Sequence, residues 1–217
     1  SFGHVAVIGG SRKMSGAALL SAKAAYASGA GLVMICSAKA NRDLLLTGCP
    51  EALFEAYDTG EEEPDFMALD RVLSFADTVV LGPGLGREKL AEQITAYVLK
   101  NCNKPIILDG DALVLCSREE LKEQSSVILT PHPREFSALF HQEISYIKEH
   151  LGEAVRKFAE DTGCILVGKD ARTIVGDGSR QYVNVSGNSG MGTGGSGDVL
   201  TGIIAGFAAQ GKPLFEA

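Results

Sequence analysis

Asn188-Ser189-Gly190-Met191-Gly192-Thr193-Gly194-Gly195-Ser196-Gly197-Asp198-Val199-Leu200-Thr201-Gly202-Ile203-Ile204-Ala205-Gly206 reads as a glycine-rich loop running into an apolar helix. Glycine lets the backbone take positive φ and lets a ligand come close to the main chain. The first turn of a helix leaves about four N–H groups unpaired, and its dipole favours anions. The bland reading is a tight turn with small-residue helix packing, but five glycines between Gly190 and Gly197 exceed what a turn needs. Gly192, Gly194 and Gly197 satisfy G-x-G-x-x-G. A dinucleotide fold needs that motif in an early strand–helix–strand unit, with an acid about 20 residues on, and the chain ends too soon for one. No G-x-x-x-x-G-K-[ST] occurs. Asp198 is the wrong charge to cradle phosphate. A carboxylate there suits a hydroxyl next to a transferring phosphoryl group.

Upstream of this stretch, short apolar runs end repeatedly in loops rich in glycine or polar residues. His4–Ile8 leads to Gly9-Gly10-Ser11 and an alanine-rich helix from Ser15, stopped by Gly29. Arg12 and Lys13 sit in that loop and read first as solvated charges. Leu32–Cys36 is a second buried strand. Ala38–Leu46 reads as helical, Ala52–Tyr57 as extended and Thr59–Asp65 as an acidic surface loop. Thr78–Leu81 runs into Gly82-Pro83-Gly84-Leu85-Gly86-Arg87 and a helix from about Glu88 to Asn101. Lys104–Leu108 ends in Asp109-Gly110-Asp111, whose carboxylates could hold Mg²⁺ through waters or cap a helix. Ser126–Thr130 ends in Pro131-His132-Pro133-Arg134-Glu135, with Pro133 and Glu135 suited to a first helical turn. His132 could equally be structural or ligand-facing. Ser145–Thr162 reads as one amphipathic helix, its apolar face Ile147, Leu151, Ala154, Val155 and Phe158. Cys164–Gly168 exits at Lys169, and Thr173–Val175 with Gln181–Val183 reads as a hairpin. Alternating strands and helices predict an α/β fold: a mostly parallel sheet, helices on both faces, and a late antiparallel hairpin. The glycine loops, His132, Lys169 and Asp198 all fall at strand exits, so one sheet edge can gather them.

A chain of 217 residues with 45% hydrophobic content can bury a real core in one domain. A net charge of −7 argues against nucleic acid and anionic membranes as partners. No apolar run approaches a membrane span, and no signal peptide opens the chain. Five widely spaced cysteines without C-x-x-C point to reduced, buried thiols in a cytoplasmic protein.

Six motifs now stand in order: Gly9-Gly10-Ser11 with Ser15-Gly16-Ala17; Gly82-Pro83-Gly84-Leu85-Gly86; Asp109-Gly110-Asp111-Ala112-Leu113; Thr130-Pro131-His132-Pro133-Arg134-Glu135-Phe136; Lys169-Asp170-Ala171-Arg172-Thr173; and Gly194 to Gly202. Together they closely resemble the NAD(P)H-hydrate dehydratases, a branch of the ribokinase-like superfamily, and the His132 motif resembles the bacterial, ADP-using form. The resemblance implies repair of NADH or NADPH hydrated at C6 of the nicotinamide ring, with ADP (or ATP) as co-substrate and Mg²⁺ in attendance, its ligands unassigned. By motif, Ala17, Gly84, Gly86, His132 and Asp198 would contact the hydrate. Lys169, Asp170, Ala171, Arg172, Thr173, Gly194, Gly195, Ser196 and Gly197 would hold the adenine nucleotide, and Asp198 would take the C6 hydroxyl proton. The resemblance also implies a homo-oligomer, suspected to be a tetramer, and an epimerase as partner or fused domain.

Two departures stand out. Asp170 replaces the glycine usual after the lysine. Residues 1–217 are expected to form a single ribokinase-like domain that is shorter than the family at both ends. The rival readings are a kinase of a small alcohol such as a vitamin precursor on the same fold, and a non-catalytic nucleotide-binding module.

Overall fold

The central strands of the sheet, such as Ile106–Leu108 and Val127–Leu129, are buried on both faces, which is why they are apolar at every position rather than alternate ones. The structure is a computed structural model and describes residues 2–60 and 63–217. In chain order, β1 (His4–Ile8) is followed by α1 (Ser15–Ala27), β2 (Leu32–Ser37), α2 (Arg42–Gly48), β3 (Leu53–Ala56), α3 (Phe66–Phe75) and β4 (Thr78–Leu81). Then come α4 (Lys89–Asn101), β5 (Ile106–Leu108), α5 (Asp111–Leu115), α6 (Arg118–Lys122), β6 (Val127–Leu129) and α7 (Pro133–Phe140). The rest is α8 (Ile144–Glu149), α9 (Leu151–Thr162), β7 (Ile165–Gly168), β8 (Ile174–Gly176), β9 (Gln181–Val183) and α10 (Ser196–Ala209).

Among the described residues, one sheet of nine strands runs β3-β2-β1-β4-β5-β6-β7-β8-β9. Every pairing from β3 to β7 is parallel; β7–β8 and β8–β9 are antiparallel. The expected α/β sheet with a late hairpin is therefore the fold. Period-two alternation divides the strands from β2 to β7 in sheet order between two cores. Ala6, Ile8, Val79, Leu81, Ile106 and Leu108 pack with α3, α4 and α9. Val5, Val7, Val80 and Ile107 pack with α1 and α10. All five cysteines are buried and free.

The long helix expected from Ser145 to Thr162 is two helices, broken at His150, whose backbone at φ −124° and ψ 31° leaves the helical region. Its apolar face is buried as expected: Ile147, Leu151, Ala154, Val155 and Phe158 all lie in the core. Helices α3 and α6 have no counterpart in the sequence reading, and α5 is the short helix expected after Asp109-Gly110-Asp111. The acidic loop from Thr59 to Asp65 includes Glu61 and Glu62, which lie outside the described residues.

Chain order reverses between β1 and β4: β2 and β3 extend the sheet one way, β4 to β9 the other. In open parallel sheets the crevice above such a reversal, at the carboxyl ends of the strands, is where ligands bind.

Candidate active site

The motif loops line that carboxyl edge and are stitched together by their backbones. Gly10 N–H donates to Pro83 O at 2.8 Å and Ser11 N–H to Gly84 O at 2.6 Å, joining the loops after β1 and β4. Gly84 has φ +61°, and a Cβ there would stand 2.9 Å from Ala17 Cβ, so glycine is what lets this loop touch the first turn of α1. Gly86 N–H donates to Asp111 Oδ2 at 2.9 Å, and Arg87 Nε to Asp111 Oδ1 at 2.9 Å. Asp111 thus secures the β4 loop, while the cap position of α5 is Gly110.

Asp109, at the tip of β5, is 3% exposed. Thr130 Oγ1 donates to its Oδ1 at 2.7 Å, Lys169 Nζ to the same oxygen at 2.9 Å, and Thr201 Oγ1 to Oδ2 at 3.0 Å. Three elements, the tips of β6 and β7 and the second turn of α10, therefore converge on one buried carboxylate. A charge this deep requires such partners. Asp109 does not cap α5, whose cap position is Gly110; its carboxylate is engaged by Thr130, Lys169 and Thr201 instead. Among the described residues no group of three or more His, Cys, Asp or Glu is placed to hold a metal ion.

Gly197 sits directly over the pair: a Cβ there would stand 3.2 Å from Lys169 Nζ. Helix α10 begins after Gly195, whose φ is +89°. Ser196 N–H is bonded to Thr193 O and Val199 N–H to Gly195 O. The N–H groups of Gly197 and Asp198 have no partner among the described residues, so two donors face the edge with the helix dipole behind them. Ser21 Oγ of α1 donates to Asp198 O at 2.9 Å and holds this turn in place. The Asp198 carboxylate has no hydrogen bond or ion pair among the described residues. Burial, and then the negative Asp109, push its pKa up to about 6, with Lys169 opposing.

His132 is the N-cap of α7. Its Nδ1 accepts from Arg134 N–H at 3.1 Å and Glu135 N–H at 3.2 Å, and Glu135 Oε2 accepts from His132 N–H at 2.8 Å. This reciprocal capping box puts the ring proton on Nε2, which lies 3.3 Å from Glu135 Oε1. Burial and the nearby Lys169 hold the imidazole pKa below its usual value, so the ring is neutral at pH 7. Burial pushes Glu135 up to about 7. His132 therefore has a structural task, and its half-exposed ring is left to offer one N–H.

A cavity of about 390 Å³ opens beside Lys169, between the hairpin and α10. Lys169, Asp170, Thr173, Ser196 and Gly197 line it over an apolar floor that includes Val175, Leu200 and Ile204. Ala171 and Arg172 are exposed and lie outside its lining, as do Gly194 and Gly195 at the start of α10. Asp170 Oδ1 accepts from Ala171 N–H at 2.8 Å, so this departure from the family's glycine turns back on its own loop. Thr130 and Thr201 were missed by sequence reasoning, whereas Glu135 stands in the first turn of α7 as expected. Thr130 had a signal, as a polar residue ending a buried strand beside another that ends in Asp109.

The family model described as NAD(P)H-hydrate dehydratase matches residues 5–217. A protein of Enterococcus faecalis named ADP-dependent (S)-NAD(P)H-hydrate dehydratase is 37% identical over 220 residues, covering 100% of this chain and 72% of that one. A solved ribokinase-like superfamily protein from Enterococcus faecalis superposes with a TM-score of 0.84 at 33% identity, over 96% of this chain and 72% of its own. The ADP/ATP-dependent NAD(P)H-hydrate dehydratase of Bacillus subtilis, co-crystallised with ATP and Mg²⁺, superposes with a TM-score of 0.81 at 26% identity, over 96% of this chain and 73% of its own. With these matches spanning the whole sheet and its loop edge, the chain belongs to the NAD(P)H-hydrate dehydratase family, on a ribokinase-like fold.

Proposed function

We propose that this protein dehydrates the S epimer of NADH or NADPH hydrate, consuming ADP and giving AMP and phosphate. One observation carries the residue assignment: the unpaired Asp198 carboxylate beside two unpaired helix N–H groups, next in the chain to Gly197, which lines the Lys169 cavity. Hydroxide is a poor leaving group, so the C6 hydroxyl is first phosphorylated. Its oxygen attacks the terminal phosphorus of ADP, Asp198 takes the hydroxyl proton, and AMP leaves. The N–H groups of Gly197 and Asp198 meet the charge that builds on the transferring phosphoryl oxygens. The ring-nitrogen lone pair then expels phosphate from C6. Loss of a proton from C5 to the departing phosphate restores the C5–C6 double bond.

The adenine nucleotide takes the cavity between the hairpin and α10, with Lys169, Asp170, Thr173, Ser196 and Gly197 around it. Ala171, Arg172, Gly194 and Gly195 contribute backbone at its rim. Ala17, Gly84, Gly86 and His132 face the hydrate, His132 donating from Nε2. The described side chains offer no resident Mg²⁺ cage, because Asp109 is committed to Lys169. Mg²⁺ would come on the nucleotide phosphates, in the water-rich coordination usual for it.

The test is incubation with hydrated NADH, ADP and Mg²⁺, following the returning absorbance of the dihydronicotinamide. Restoration that needs both nucleotide and protein is expected, with ADP preferred to ATP. A phosphorylated substrate that accumulates without restored absorbance identifies a kinase instead.

A further inference from the structure

The same edge carries a second cavity, of about 310 Å³, at its other end. It lies over the reversal of strand order. The loop after β1 supplies Ser11, Arg12 and Lys13; the turn after β4 and the start of α4 supply Leu85 and Lys89. None of the residues assigned above to the hydrate ring or to ADP lines it, yet it adjoins them: a Cβ at Gly86 would stand 3.7 Å from Ser11 Cβ and run into the Glu88 carboxylate. Arg12 and Lys13, which read from sequence as solvated charges, are thus walls of a cavity.

Its chemistry is uneven. Leu85, Ala91 and Ile94 give an apolar floor. The three cations have little to hold them. Among the described residues Arg12 reaches only Gly60 O, at 3.3 Å. Lys13 lies 3.7 Å from Glu88 Oε1 with both side chains mostly exposed, a weak pair. Lys89 has no ion-pair partner among the described residues. The two acids at the rim already accept backbone N–H groups, Asp58 from Lys39 at 3.2 Å and Glu88 from Arg87 at 3.0 Å. Three under-used cations round one apolar cavity, on a chain of net charge −7, suit an anion attached to a flat apolar group.

The edge also dictates direction. ADP occupies the side of β7 and β8, and the reacting C6 must sit by Asp198, near β5. The rest of the hydrated dinucleotide has to run the other way, towards β1 and β2. Strands lie about 4.8 Å apart, so β5 to β2 spans roughly 14 Å, a distance that the chain from nicotinamide through the diphosphate can bridge. We propose that this cavity binds the adenosine half of the hydrated dinucleotide, its adenine on the Leu85–Ile94 floor and its phosphates against Arg12, Lys13 and Lys89. This rests on the dehydratase reading above.

The test uses the whole chain with Arg12→Ala and Lys89→Ala combined; both side chains are exposed and neither is part of the core. Turnover of NADH hydrate and NADPH hydrate is measured with ADP, and NADPH and ADP are titrated separately by calorimetry. KM for both hydrates and Kd for NADPH should rise tenfold or more, while kcat and Kd for ADP stay within twofold. Unchanged hydrate KM and NADPH Kd overturn the assignment. A matching loss of ADP affinity also overturns it, by making this the nucleotide site. If the parent protein restores no dihydronicotinamide, the dehydratase reading fails, and the NADPH titration still decides the cavity.

Discussion

Asp198 is a carboxylate whose pKa, near 6, sits close to working pH because burial and Asp109 raise it while Lys169 restrains it. A base must be ionised, so kcat/KM should climb as pH rises through about 6 and level off above 7. Asp198→Asn should lose roughly 10²–10⁴ in kcat, the span of a general base, and ADP affinity should hold or improve. Turnover within about threefold of the parent makes Asp198 a bystander. Stability moves the other way. Between the ordinary value of 3.8 and about 6, the folded protein keeps a proton that the unfolded chain releases. Stability therefore falls as pH rises through that window. The Asn variant should melt higher than the parent at pH 7.5 and match it below pH 4. His132 needs two substitutions, because it both caps α7 and faces the edge. His132→Ala should lose about 0.5–2 kcal/mol of stability with the cap. His132→Asn should keep the cap and still raise the hydrate KM, with ADP binding unchanged. If His132→Asn shows parental kinetics, the ring serves α7 alone.

Helix α10 matters through its closeness to α1. A Cβ at Gly202 would run into Ser21 O and stand 2.8 Å from Ala24 Cβ; one at Gly206 would stand 2.8 Å from Ser28 Cβ. The two helices approach at backbone distance, and the small residues of α1 are the other half of the fit. Helix propensity favours Gly202→Ala by about 1 kcal/mol, yet the contact is with backbone that cannot swing away. Crowding should win, with a net loss of about 1–3 kcal/mol in a denaturant melt and a fall in kcat as the Asp198 turn is levered outward. Gly16→Ala is the control: nothing among the described residues lies within 4 Å of its added Cβ, so stability should hold or rise. The glycine stretch and its helix were legible because glycine and small-residue periodicity are local signals. The break at His150 was not, since apolar spacing continues unbroken through Ile147, Leu151 and Ala154. The helix α6, five residues long, is too short to show a period.

At the scale of the molecule, the sheet brings loops from six parts of the sequence to one edge. ADP at a hundred times its Kd should stabilise the fold by about 2.7 kcal/mol, seen as a rise of roughly 5–10 °C in Tm; no rise removes the nucleotide site. The parallel sheet was readable from the alternation of strands and helices, and strand exits marked the edge. The Asp109 pairing was not readable, because its partners lie 21, 60 and 92 positions further along the chain and only the closed sheet aligns them. The Ser21–Asp198 bond spans 177 positions. During synthesis, then, α1 leaves the ribosome long before the helix it must clasp exists. Until residue 198 emerges, the slot on α1 has no occupant, Asp109 lacks its Thr201 partner and the two unpaired N–H groups of Gly197 and Asp198 are missing. A stalled nascent chain ending before Ser196 should fail to retain ADP however well its sheet has formed, so competence arrives in a single late event rather than by degrees.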